Sequence, residues 1–216
     1  RMIFSGKYFT KKAPFSKLYV HATVLTKDGK RMSKSLGTGI DPLILIEKYG
    51  ADALRFGLAY QTTELQDMRF GEDTILMGKK FANKLWNIAR YVIAKVGPDY
   101  IFPINNIPEN LERNIIEKMN FTIDSATKEV ENYEFGNAAH RIYDFVWRDL
   151  ADKYIEETKD KDDQVTKDTL AVLLIQSLKV LHPFMPFITE ELWSKLNNSD
   201  KDLLLVAPWP GISSSR

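Results

Sequence analysis

Residues Gly29-Lys30-Arg31-Met32-Ser33-Lys34-Ser35-Leu36-Gly37 combine three cations, two hydroxyls and two flanking glycines. No acidic residue lies between Asp28 and Asp41. Such a stretch suits the grip of a polyphosphate. A lysine ammonium is a mobile point charge, a hydroxyl donates a hydrogen bond, and glycine lets backbone approach a ligand closely. A solvated basic loop would have the same composition, so the order of the residues must decide.

A second stretch, Lys79–Tyr91, carries a different chemistry. Between Thr74 and Pro98 there are five basic residues and no acids. At about 100° per residue, Lys80, Asn83, Asn87 and Arg90 point away from a Leu85/Ala89 stripe. Lys84 and Tyr91 flank that outer face, and Lys79 adds a cation at its start. Cations, amides and an aromatic ring suit single-stranded RNA, through phosphate pairing, base-edge hydrogen bonds and stacking. A solvated face that lacks acids is the alternative. Trp86 is expected to be partly core.

Other chemistry finds little support. There is no cysteine, which excludes disulfides and cysteine-based metal sites. His21, His140 and His182 are far apart in sequence and read as structural. Glu156-Glu157 and Asp160–Asp163 read as a helix end and an acidic loop. The aromatic stretches Phe135–Trp147 and His182–Trp193 read as core, because Ile142, Phe145, Val146 and Leu150 recur at helical spacing.

The elements that must position these groups can be read from the same sequence. Residues 17–25 are β-branched and aromatic and predict a buried strand, ended by a turn at Lys27-Asp28-Gly29-Lys30. The basic loop would then leave the C-terminal end of a strand, where open α/β sheets bind ligands. Asp41-Pro42 opens a helix as N-cap and first turn, and Gly50 bends or divides it. A short strand is expected at 67–70. Residues 72–96 form a long helix with Ile75, Ala82, Leu85, Ala89, Val92 and Val96 on one stripe, stopped by Gly97-Pro98. Further helices are expected at about 109–132, 135–158, 164–182 and 186–196, with an extended piece at 203–206. This predicts a mainly α chain with a helix bundle, divided into residues 1–70 and 71–216.

Composition sets the frame. The 216 residues are 44% hydrophobic with a net charge of +1. Residues 1–40 carry nine basic residues and one acid, and residues 98–216 carry thirteen and twenty-one. Polyanion affinity is therefore expected in the N-terminal half. No apolar run is long enough to span a bilayer and no secretory signal is present, so a cytoplasmic chain with no membrane partner is expected. The chain begins with Arg1 inside an apolar-basic helix, as an excised piece would.

Arg31-Met32-Ser33-Lys34-Ser35 resembles the Lys-Met-Ser-Lys-Ser signature of the class I aminoacyl-tRNA synthetases, and Leu36-Gly37 and Asp41-Pro42 also fit that family. The resemblance implies the end of a Rossmann-like α/β catalytic domain followed by an anticodon-binding helix bundle. It implies ATP as substrate, with Mg²⁺, and an ATP loop of Arg31, Met32, Ser33, Lys34 and Ser35, of which Lys34 is the catalytic cation. Arg31 stands where the family has lysine. Lys48-Tyr49-Gly50-Ala51-Asp52-Ala53-Leu54-Arg55 is similar to the aliphatic subgroup. Gln66–Phe70 and Phe81–Asn87 look most like the valyl members, with leucyl and isoleucyl behind. Asp152-Lys153-Tyr154 is close to a valyl pattern that has an aromatic where this chain has Lys153. The partners so implied are tRNA, with tRNA(Val) first, together with ATP and valine, acting on a monomer. Its RNA contacts would be Lys79, Lys80, Asn83, Lys84, Asn87, Arg90 and Tyr91. None of the histidines lies in a His-Ile-Gly-His setting, so these 216 residues alone are not expected to activate valine. A free-standing RNA-binding helical module and a bundle without a ligand are the rival readings.

Overall fold

Helix follows helix along the chain, largely where the apolar spacing requires it. The computed structural model describes residues 1–33, 37–62, 67–104, 106–196 and 202–210. Helix α1 spans Met2–Thr10 and buries none of its residues. Strand β1 is Val24–Leu25, and β2 is Met68–Arg69. The two pair in parallel, with Val24 opposite Met68 and Leu25 opposite Arg69. Between them lie α2, Pro42–Tyr49, and α3, Ala51–Gln61. Gly50 divides these helices at a φ of 94°, in the region where glycine is at little steric cost. The Asp41 side chain accepts from the Leu43 N–H, and Pro42 sits in the first turn.

The long helix α4, Glu72–Val96, starts with two acids at its positive end and stops at Gly97. The bundle is completed by α5, Arg113–Glu131; α6, Phe135–Asp144; α7, Gln164–Leu181; and α8, Pro186–Ser194. The path of α6 runs on as a wider π-helical stretch, Phe145–Ile155. Helix α7 passes through the middle of the core and is buried on every side from Thr169 to Leu181. Around it pack Phe56, Phe81, Leu85, Met119, Ile142, Leu150 and Trp193. A smaller core joins Leu45, Ala53, Leu54, Phe70 and Ile75, with Met32, Ile46 and Tyr49 at its edge. Helix α3 serves both cores, through Phe56 on one face and Ala53 and Leu54 on the other.

Helices α3 and α4 meet backbone to backbone. A Cβ at Gly78 would stand 2.6 Å from the Ala53 carbonyl oxygen, and one at Gly57 would stand 3.0 Å from that of Thr74. Neither backbone can yield as a flexible side chain could. Gly78→Ala is therefore expected to destabilise the chain by about 1–3 kcal/mol, through forced separation of the two helices. A denaturant midpoint equal to wild type would contradict that close contact.

Three expectations need correction. The strand expected over 17–25 is reduced to Val24–Leu25, and Leu18 and Val20 are 72% and 66% exposed. Extended backbone needs a paired neighbour for its N–H and C=O groups, and only two residues of β2 lie alongside. The piece at 203–206 is a single 3₁₀ turn, Leu204–Val206, not a strand. Its first amides donate to the Glu190 carboxylate instead of to a strand. On α4 the buried stripe also contains Gly78, Phe81 and Ile88, while Ala82 lies at its edge.

Candidate ATP loop and RNA face

The basic loop is closed at its base by hydrogen bonds. Within the turn, the Thr26 N–H donates to the Lys30 carbonyl at 2.8 Å, and the Gly29 N–H donates to the Thr26 carbonyl at 2.9 Å. Gly29 has a φ of 75°, which this tight turn requires. Leu25 and Arg31 then form an antiparallel bridge. On the far side, Thr38 ties the two ends of the loop together. Its hydroxyl accepts from the Ser33 N–H at 3.0 Å, and its own N–H donates to the Ser33 carbonyl at 3.1 Å. Met32 packs against the small core, so it anchors the loop from below. Arg31 is exposed. Lys34 and Ser35, the central residues of the expected ATP grip, lie outside the described residues, as does Gln66.

The loop offers cations and hydroxyls, which match phosphate oxygens. It offers no carboxylate for a metal. Asp41 is occupied in capping α2, and Asp28 lies in the preceding turn. Among the described residues no group of three or more His, Asp or Glu side chains could hold a metal ion. The described loop residues therefore do not fit a magnesium cage.

The face of α4 is more sharply defined than its sequence suggests. Lys79, Lys80, Asn83, Asn87 and Arg90 are exposed. Among the described residues Lys80 and Arg90 form no ion pair. Lys84 turns toward the π-helical stretch, and Tyr91 lies near Glu156, Lys159 and Asp160 beyond its end. The Lys84 ammonium bonds the Asp152 carboxylate at 2.7 Å and lies 5.3 Å from the Trp147 ring centre. The Tyr91 hydroxyl is buried without a hydrogen-bond partner, and burial pushes its pKa up. The Lys79 ammonium donates to the Lys48 carbonyl at 3.2 Å. Trp86 is 38% exposed, more open than expected, on the side facing α8. There it lies beneath Lys195 and forms a shallow groove of about 350 Å³ with Arg90, Ile93 and Leu192.

Helices α2 and α3, which follow the loop, are tied to α4 and α8. Glu72 at the start of α4 accepts from Lys48 and Tyr49 at the end of α2, and those bonds hold its carboxyl below the usual range. Asp52 on α3 accepts from the Phe187 and Ile188 N–H groups of α8 at 3.2 and 2.6 Å. Burial pushes the Asp52 carboxyl up, opposed by those two amides and by the charges of Arg55 and His182. The Arg55 guanidinium donates to the Pro183 carbonyl at 3.0 Å.

Two family models match the chain in this same order. Residues 1–71 match "tRNA synthetases class I (I, L, M and V)", and residues 112–215 match "Anticodon-binding domain of tRNA ligase". The chain belongs to the class I aminoacyl-tRNA synthetases. It is similar to the valine–tRNA ligase of Aquifex aeolicus, at 43% identity over 97% of this chain and 20% of that protein. The valine–tRNA ligase of Thermotoga maritima is 41% identical over 98% of this chain and 25% of its own length. The chain thus spans about a fifth to a quarter of the curated relatives it matches. The fold is similar to that of agnB2 LeuRS from Agrobacterium radiobacter K84, solved in a ternary complex with tRNA and LeuAMS. That likeness has a TM-score of 0.81 at 24% identity, over 98% of this chain and 26% of that one.

Several groups of this synthetase chain escaped the sequence reading. Thr38 closes the loop, yet one threonine among glycines gives no signal. Asp52, Arg55 and Glu72 join helices, and only their place in a family motif or a first helical turn marked them. Lys153, the departure from the valyl pattern, has a side chain 63% exposed and lies 3.8 Å from Asp149. The neighbouring Tyr154 is buried, so the core loses nothing at Lys153.

Proposed function

We propose that this chain is the ATP-loop and anticodon-binding part of a valine–tRNA ligase, with its division near residue 70. Valine would be activated by attack of its carboxylate on the α-phosphate of ATP, and then transferred to tRNA(Val). The observation that carries this reading is the identity of 41–43% with valine–tRNA ligases along nearly the whole chain. The likeness to a leucyl enzyme is one of fold.

In this reading Lys34 faces the departing pyrophosphate, where charge grows as the bond breaks. A cation aimed there favours the transition state over the ground state. Arg31, Ser33 and Ser35 contact or shape the triphosphate site, and Met32 holds the loop to its core. The α4 face grips the tRNA. Lys80 and Arg90 meet phosphates, Asn83 and Asn87 meet base edges, and Lys79 lies at one end of the strip. Lys84 borders the strip on the side of the π-helical stretch, and Tyr91 on the side of the residues that follow it. Magnesium would be brought in on the triphosphate.

Two measurements test these assignments. Salt-titrated binding of tRNA(Val) to this chain is expected to show an affinity that falls steeply with salt. A chain with no measurable tRNA affinity at low salt would contradict the RNA face. Thr38→Val removes the acceptor for the Ser33 N–H and loosens the loop base. In the full-length protein it is expected to raise the KM for ATP about three- to tenfold, since a net hydrogen bond contributes roughly 1 kcal/mol. An unchanged KM would show that the loop needs no such tie.

A further inference from the structure

Two motifs have no role in either the ATP loop or the RNA face. One is Gly50–Arg55 at the start of α3, and the other is His182–Pro186 ahead of α8. The fold brings them into direct contact. Helix α8 begins at Pro186, which has no N–H, and the preceding Met185 provides no side-chain cap. A helix start normally takes its cap from the residue just before it. Here the cap is Asp52, 135 residues away from Phe187 in sequence. Its two oxygens accept from Phe187 and Ile188, and the residue is only 8% exposed. Arg55, one turn further on, satisfies the Pro183 carbonyl. On the other side of the same turn, Ala53 and Leu54 pack in the small core with Met32.

The glycine seam fixes the distance between α3 and α4, and near its C-terminal end α3 is held through Tyr60, whose carbonyl meets the His140 ring nitrogen at 3.0 Å. The contact of Asp52 and Arg55 with α8 attaches the other end of α3, and two attached ends define an angle. We propose that Asp52 and Arg55 are positioning residues that hold the loop-bearing helices at one angle to the RNA-facing bundle. A tRNA gripped on α4 and a nucleotide held at the loop then meet in a fixed geometry. This rests on the function proposed above.

The test uses Asp52→Ala, Arg55→Ala and Asp52→Asn in the full-length protein. Asp52→Asn preserves size and one acceptor, so it is expected to fold as wild type and show the same effect at smaller amplitude. The tRNA dissociation constant and tRNA-independent ATP–pyrophosphate exchange are expected to stay within about threefold of wild type. The kcat for transfer to tRNA should fall by about tenfold or more, with its KM unchanged. Misfolding would instead lower exchange and transfer together. Parallel loss of both, or unaltered transfer, overturns the proposal. Exchange driven by an amino acid other than valine would contradict the function above, while the split between exchange and transfer would still test the joint. A second readout needs no activity. Residues 1–216 have no cysteine, so spin labels placed at Glu47 and Glu157, with any cysteine elsewhere in the full-length protein replaced, report the angle. Their distance distribution should broaden in Asp52→Ala, and an unchanged width would overturn the proposal.

Discussion

Lys34→Ala, made in the full-length protein, is expected to lower valine-dependent ATP–pyrophosphate exchange by about 10²- to 10³-fold. The size of the effect follows from where charge develops. Bond breaking at the α-phosphate places new negative charge on the leaving pyrophosphate, and an aimed ammonium is stronger against that charge than against bound ATP. The KM for valine should hardly move, because the proposed role of the loop is toward the triphosphate and not the amino acid. Lys34→Arg should recover only part of the rate, since a planar guanidinium cannot take the place of a compact rotating ammonium. The described parts of the loop support this placement. Thr38 closes its base and Met32 fixes it to a core. Exchange in Lys34→Ala equal to wild type would remove the assignment.

The second large effect is expected from reversing charge on α4. Lys80→Glu with Arg90→Glu should weaken tRNA(Val) binding by about tenfold or more and flatten the salt dependence by one to two units of slope. Both side chains are exposed, so their replacement disturbs no packing. Lys84 is a poorer choice for this test. It is paired with Asp152 at 2.7 Å, and a glutamate there would set two carboxylates side by side. Loss of binding in that variant would report repulsion as well as a lost contact. An unaltered affinity and slope in Lys80→Glu/Arg90→Glu would show that the face is only solvated.

Much of the helical architecture was legible because it rests on local chemistry. Asp41-Pro42 starts α2, Gly50 divides it from α3, and Gly97 ends α4, each where a cap, a positive φ or a stop is needed. The α4 stripe at Leu85, Ala89, Val92 and Val96 was readable from period alone. What escaped depends on partners distant in sequence. The run at 17–25 looks like a strand in composition, but strand formation requires a hydrogen-bonded neighbour. Nothing in the local sequence explains a glycine at 78, and only the packed fold sets the Ala53 carbonyl against it. The π-helical stretch at Phe145–Ile155 has no breaker residue to announce it.

The candidate site divides in the same way. The order of residues at 31–35 names a chemistry, and the α4 face follows from helical geometry. Which members of that face stay open to a ligand does not follow from geometry of one helix. Lys84 meets the π-helical stretch and Tyr91 the residues just after it, and only the packed fold shows that one is ion-paired and the hydroxyl of the other buried. The joint between Asp52 and α8 was equally hidden, since its two halves are motifs from opposite ends of the chain.

The most direct test of the account is the amino acid dependence of ATP–pyrophosphate exchange in the full-length protein. Exchange driven by valine, and lost in Lys34→Ala, is the expected result. Exchange driven instead by leucine or isoleucine would contradict it.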